Sequence, residues 1–258
     1  MRVLVATAVL VERDAVAAAF APSAALEYTI PGATLSRVAP AEGGPLVFDL
    51  LAAGVGPAAA AAATAAALTA AALTAAARNE QTDEQTDDRT SGPYDLVVSA
   101  GIGGGFQPEA PVGSLVLADE ITTADLGAET ADGFVPVTEL GFGAVTHRPP
   151  ESLVRAVAAV TGARTGAVLT VNTVTGSAGR AAELRRRHPR ALAEAMEGFG
   201  VAEAATAHGV PVLELRAVSN PVGPRDRAAW RIGDALAALT GAFGKLAPAL
   251  ESWNPHDR

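Results

Sequence analysis

The feature that most restricts this chain is a set of stretches that stay apolar residue after residue. "RVLVATAVL" (2–10), "PLVFDLLAAGVG" (45–56) and "YDLVVSAGIGGG" (94–105) do not alternate as a half-wet strand does. A strand is apolar on both sides when both faces of its sheet are covered, and helical crossovers are what cover them. "GSLVLADEITTAD" (113–125), "TGAVLTVNTVTGS" (165–177) and "VPVLELRAVSN" (210–220) also read as strands. Helical stretches fall between: the segment opening with "ERDAVAAAFA", residues 57–79 behind Pro57, "AAELRRRHP", residues 194–208, and about 227–250. Proline suits the first helical turn, where its missing N–H costs nothing. The pattern predicts a single α/β domain spanning 1–258, with a central mixed, largely parallel sheet flanked by helices.

Bulk properties narrow the function. A chain of 258 residues can bury a full core, and with 4% aromatics that core is built from Val, Leu, Ile and Ala. The formal net charge of −9 speaks against nucleic acid and anionic membranes as partners. With no cysteine there is neither a disulfide framework nor a thiolate site, which suits a cytoplasmic protein. The apolar start from Val3 to Val11 reads as a buried strand rather than a signal peptide. The alanine-rich stretch 58–77 is long enough to span a bilayer but is weakly hydrophobic and carries threonines, so it reads as a soluble helix. "NEQTDEQTDDRTSGP" (79–93) is polar and acidic, and reads as a flexible surface insertion.

In a parallel sheet, ligands gather beyond the C-terminal strand ends. "GVGPAA" (54–59) fits a dinucleotide fingerprint formally but lacks the acidic residue expected about 20 positions on. "GIGGGF" (101–106) fails that pattern. These glycines read as tight turns, or as places where backbone approaches a base or ribose. His147, His188, His208 and His256 are not spaced as metal ligands, and His208 before Gly209 suits a helix C-cap. Three polar residues stand out. Glu12 closes the first apolar run, Glu197 follows Met196 in an alanine-rich helix, and Asn220 follows Ser219 at a strand end. Each has a plain alternative: a helix N-terminal acid, an exposed helix residue, a turn former before Pro221.

Taken together they resemble the nucleoside phosphorylase and nucleosidase superfamily, in the branch of methylthioadenosine/adenosylhomocysteine nucleosidase. "VVSAGIGGGFQPEAPVGSLVLADE" is similar to its strand, glycine turn and strand, "AMEGFGVAEAA" to its Met-Glu helix, and "VPVLELRAVSN" to its last core strand. That strand ends Ser-Asp in the adenine-specific members. Ser219-Asn220 with "AMEGFG" looks instead like the futalosine hydrolase family of the menaquinone route. The resemblance implies N-ribosidic bond hydrolysis of a nucleoside without metal or cofactor, by a homo-oligomer. It implies Glu12 as the water-activating carboxylate and Asn220 as the amide that meets a 6-oxopurine. It further implies Glu197 on the ribose hydroxyls, Met196 against the sugar, and Ser219, Gly101, Ile102, Gly103, Val174 and Thr175 lining base and ribose. Arg225 and Arg227 either pair with a substrate carboxylate or are plain surface arginines. Three alternatives stay open: a phosphorolytic purine nucleoside phosphorylase, an adenine-type nucleosidase, and a non-catalytic nucleoside binder.

Overall fold

The computed structural model describes residues 1–20, 25–40, 46–79 and 92–253. The acidic stretch singled out at 79–93 falls almost wholly outside them. In chain order the elements are β1 (Arg2–Thr7), α1 (Leu10–Ala17), β2 (Leu26–Ile30), β3 (Ala33–Val38), β4 (Val47–Ala52), α2 (Pro57–Asn79), β5 (Leu96–Gly105) and β6 (Leu115–Thr123). They continue with β7 (Gly127–Thr130), β8 (Gly133–Pro136), β9 (Thr146–His147), α3 (Glu151–Thr161), β10 (Arg164–Thr170) and α4 (Ala178–Arg187). The last are β11 (Ala191–Ala195), α5 (Gly198–Ala207), β12 (Val212–Pro221) and α6 (Ile232–Ser252).

The main sheet runs β11-β10-β6-β12-β5-β1-β4-β3-β2, and β9 adds to β6. The pairs β1/β4, β1/β5, β5/β12, β6/β10 and β10/β11 are parallel, as unbroken apolar runs require. Two antiparallel contacts, β12 with β6 and β11 with β5, bring one end of the sheet round on itself. Helices cover both faces. Val16 of α1, Leu153 and Val157 of α3, and Leu239, Phe243 and Leu246 of α6 join the core on one side. Ala60, Ala67 and Leu68 of α2, with Phe199 and Val201 of α5, pack on the other.

Helix α2 is the one described helix long and apolar enough to cross a membrane by length and composition. Part of it is committed to the domain. A Cβ added to Gly200 of α5 would stand 2.0 Å from the Pro57 carbonyl oxygen, so the two helices meet backbone to backbone.

Two expectations need correcting. Residues 194–208 are not one helix, because Ala191–Ala195 is a strand and α5 begins at Gly198. "ALAEA" carries helix-forming residues, but the hydrogen bonds offered by β10 and β5 outweigh local propensity. The glycines 101–105 are also not a turn. They continue β5 and none has a positive φ, unlike Gly54 (φ 94°) and Gly56 (φ 92°), which do make the turn into α2.

Candidate active site

Strand β12 carries Glu214 and Arg216 two positions apart, hence on the same side of a strand buried throughout its length up to Ser219. Charged groups persist in such a place only when paired. Arg216, 1% exposed, donates from Nε to Glu214 Oε1 (2.9 Å), from one terminal nitrogen to Glu197 Oε2 (3.4 Å) and from the other to Ser99 Oγ (3.0 Å). Glu214 is fully buried and its Oε2 has no hydrogen-bond partner among the described residues. Burial raises its carboxyl above the ordinary value, with Arg216 opposing and Glu197 adding to the rise. The Arg216 guanidinium is shifted the other way from what burial dictates, because Glu214, Glu197 and Glu12 outweigh desolvation and raise it.

Glu12 belongs to α1, not to the end of β1; strand β1 stops at Thr7 and Glu12 sits in the first helical turn. Its Oε2 accepts from the Ala8 and Val9 amides (3.0 and 3.3 Å), closing the helix start. Its Oε1 accepts from the Ile102 amide of β5 (2.9 Å). A Cβ on Gly101 would stand 2.6 Å from Glu12 Oε1 and 2.8 Å from an Arg216 terminal nitrogen. Gly101 is therefore an empty position that lets the acid and the guanidinium share the floor of the crevice.

Glu197 is the residue just before α5 rather than one within a helix, and it is 6% exposed. Its carboxylate accepts from the Gly56 amide (3.3 Å), which the positive-φ turn delivers, as well as from Arg216. Met196 beside it is half-buried.

Asn220 lies beyond a register shift. Val218 faces Gly103 and Asn220 faces Gly104, so Ser219 is an extra residue in β12. A bulge of this kind re-aims the side chain that follows it. The Ser219 hydroxyl lies 2.8 Å from Asn220 Oδ1 and 3.3 Å from the Gly103 carbonyl oxygen. Asn220 Nδ2 donates to the Pro221 carbonyl (3.0 Å). With Ser219 near its oxygen and one N–H on the Pro221 carbonyl, the amide keeps its other N–H as a donor.

On the opposite lip, Val174 is half-buried and Thr175 is buried. Thr175 donates its backbone N–H (2.8 Å) and its hydroxyl to the carboxylate of Glu194, itself on β11 opposite Gly104. Burial raises the Glu194 carboxyl, against the two hydrogen bonds from Thr175. Glu12 meets β5 at Ile102, Arg216 lies opposite Gly101 with Glu197 bonded to it, and Asn220 and Glu194 lie opposite Gly104. Three residues of extended strand cover about 10 Å, the reach of one nucleoside.

Sequence reading missed Arg216, Glu214 and Glu194. The signal was present for the first two, since "LELR" puts opposite charges two apart in a strand otherwise apolar. His208 caps α5 as expected, with Nδ1 against the Ala204 carbonyl (2.8 Å). Among the described residues no group of three or more His, Asp or Glu is arranged to hold a metal ion.

Residues 23–249 match the model of the phosphorylase superfamily. Over 258 residues, all of both chains, the sequence is 72% identical to futalosine hydrolase of Streptomyces coelicolor. The chain belongs to the phosphorylase superfamily. Among solved structures of that superfamily's fold, futalosine hydrolase of Helicobacter pylori superposes with a TM-score of 0.74 at 16% identity, covering 96% of this chain and 97% of that one. The 5'-methylthioadenosine/S-adenosylhomocysteine nucleosidase of Neisseria meningitidis, in complex with methylthio-immucillin-A, gives 0.72 at 18% identity, covering 97% and 98%.

Proposed function

We propose that the chain hydrolyses the N-ribosidic bond of futalosine, releasing hypoxanthine and dehypoxanthine futalosine. The observation that carries the reading is the Asn220 amide, oriented by Ser219 so that it donates, in a chain 72% identical end to end to a futalosine hydrolase. Hypoxanthine offers acceptors at both N7 and O6, and an amide N–H satisfies either. An adenine-like base keeps the N7 acceptor but puts a donor where hypoxanthine has O6, so an N–H set against position 6 faces a donor, which sites built on hydrogen bonds penalise heavily.

The chemistry follows from the order of groups along β5. As the C1′–N9 bond breaks, its electron pair leaves with the purine and the sugar becomes oxocarbenium-like. Glu197 accepts hydrogen bonds from the ribose hydroxyls. Glu12 takes a proton from the water that forms the new C1′–O bond. Asn220 has no acidic proton, so it stabilises the departing base by hydrogen bonding alone, and the base gains its proton from solvent. Phosphorolysis fits less well, because the charge of Arg216 is already met by the Glu214 and Glu197 carboxylates bonded to it, with Glu12 nearby.

The same reading makes the protein a cytoplasmic homo-oligomer serving menaquinone biosynthesis. Exposed Val9, Leu10, Val11 and Val55, on the segments that carry Glu12 and Gly56, are apolar surface that association would cover. The test is to incubate the protein with futalosine, inosine and methylthioadenosine, with and without phosphate, and follow the free base. Futalosine cleavage without phosphate is expected, and Glu12→Gln should slow it about 100-fold or more. Unaltered turnover by Glu12→Gln would falsify the assignment of the base.

A further inference from the structure

The crevice floor is a poor place for an anion. Glu12, Glu197 and Glu214 are all buried around the Arg216 guanidinium, whose charge they already meet. Futalosine nevertheless carries a carboxybenzoyl group at its 5′ end, so its carboxylate needs cations elsewhere.

The segment 222–231 supplies them. It leaves β12 after Asn220 and Pro221 and returns so that the Arg231 amide donates to the Ser219 carbonyl (2.8 Å), which ties both ends beside the crevice. Asp226 accepts from the Ala228 amide (3.1 Å) and shapes a short turn within it. The Arg225 and Arg227 guanidiniums lie 5.5 and 5.7 Å from the ring centre of the half-buried Trp230. The Arg225 stem also reaches the opposite lip, within 3.8 Å of where a Cβ on Gly176 would stand, next to Thr175. Arg180 and Arg187 pair with Glu183, Arg185 with Glu109 and Arg190 with Asp119. Among the described residues no carboxylate pairs with Arg225 or Arg227.

We propose that Trp230, Arg225 and Arg227 form a clamp for the aryl carboxylate of the substrate. The indole offers a face for an aromatic ring, and guanidinium forks match a carboxylate two bonds at a time. The clamp rests on the futalosine reading and selects nucleosides that are both aromatic and anionic at the 5′ end.

The experiment compares futalosine with its methyl ester, which keeps the ring and removes the charge. Binding of both is measured calorimetrically to the slow Glu12→Gln protein, with and without Arg225→Gln and Arg227→Gln, and kcat/KM is measured in the otherwise native background. The acid should be preferred over the ester about tenfold or more with both arginines present, and the preference should collapse to about twofold in the double variant. Equal handling of acid and ester before the substitutions, or an unchanged preference after them, overturns the clamp. If the acid is bound with the stated preference yet never cleaved, the clamp stands and the hydrolase reading fails.

Discussion

At the scale of single residues, the site depends on which atoms are already engaged before substrate arrives. Asn220 is held by Ser219 at its oxygen and by Pro221 at one N–H. Asn220→Asp replaces the donor with a group that accepts when ionised and donates only when protonated. The ratio of futalosine to 6-amino-futalosine cleavage should fall toward one in that variant, measured as paired kcat/KM values. Glu214 makes a separate point. Its folded-state carboxyl is raised by burial, so its contribution to stability is complete below about pH 4.3 and is lost as the pH climbs through the raised value. Glu214→Gln keeps an oxygen for Arg216 Nε and cannot ionise. Its melting temperature should exceed that of the native protein at pH 8, and the advantage should vanish at pH 4. A melting temperature that tracks the native protein at both pH values counts against an ionising Glu214.

At the scale of elements, legibility tracked how much of the answer was local. The strands β1, β4, β5, β6, β10 and β12 and the helix α2 behind Pro57 announce themselves by apolar runs and a helix-start proline. Strand β11 does not, because "ALAEA" becomes a strand only through pairing with two distant partners. Glu197 was singled out as an acid within an alanine-rich helix, yet its buried setting comes from a strand-to-helix junction and the Gly56 turn, not from a helix face. The bulge at Ser219 and the bond between Glu194 and Thr175 are likewise products of register and tertiary contact. The small elements β2, β3, β7, β8 and β9 and the helix α3 went unread as well. Glu194→Ala frees the segment that carries Val174 and Thr175. It should raise KM for futalosine several-fold more than it lowers kcat, and Glu194→Gln, which retains one acceptor for the Thr175 amide, should recover most of the loss.

Across the whole molecule, stability and chemistry sit at opposite ends of the sheet. Asp49 is fully buried and takes bonds from Arg2, Arg37 and Tyr94, while the site lies past the other ends of the same strands. Burial alone would raise the Asp49 carboxyl, but Arg37, Arg2 and Tyr28 together hold it below the usual range. Its contribution is present above about pH 3.9 and is lost as the pH falls through the depressed value. Asp49→Ala leaves two guanidiniums facing each other and should cost about 3–5 kcal/mol near pH 7 by denaturant titration, with the gap to the native protein narrowing below pH 4.

The return of β11 onto β5 has a bearing on how the molecule behaves in a crowded solution. Strands β11, β10, β6, β12 and β5 bond in a ring, so among the described residues these five strands leave no row of unpaired amides beside the crevice for a stranger's backbone. Among the described residues the run of strands ends at β2, at the far margin of the sheet. A foreign extended peptide that tries to add a rung finds its template there, well removed from the chemistry, and the mouth of the enzyme is left to small molecules.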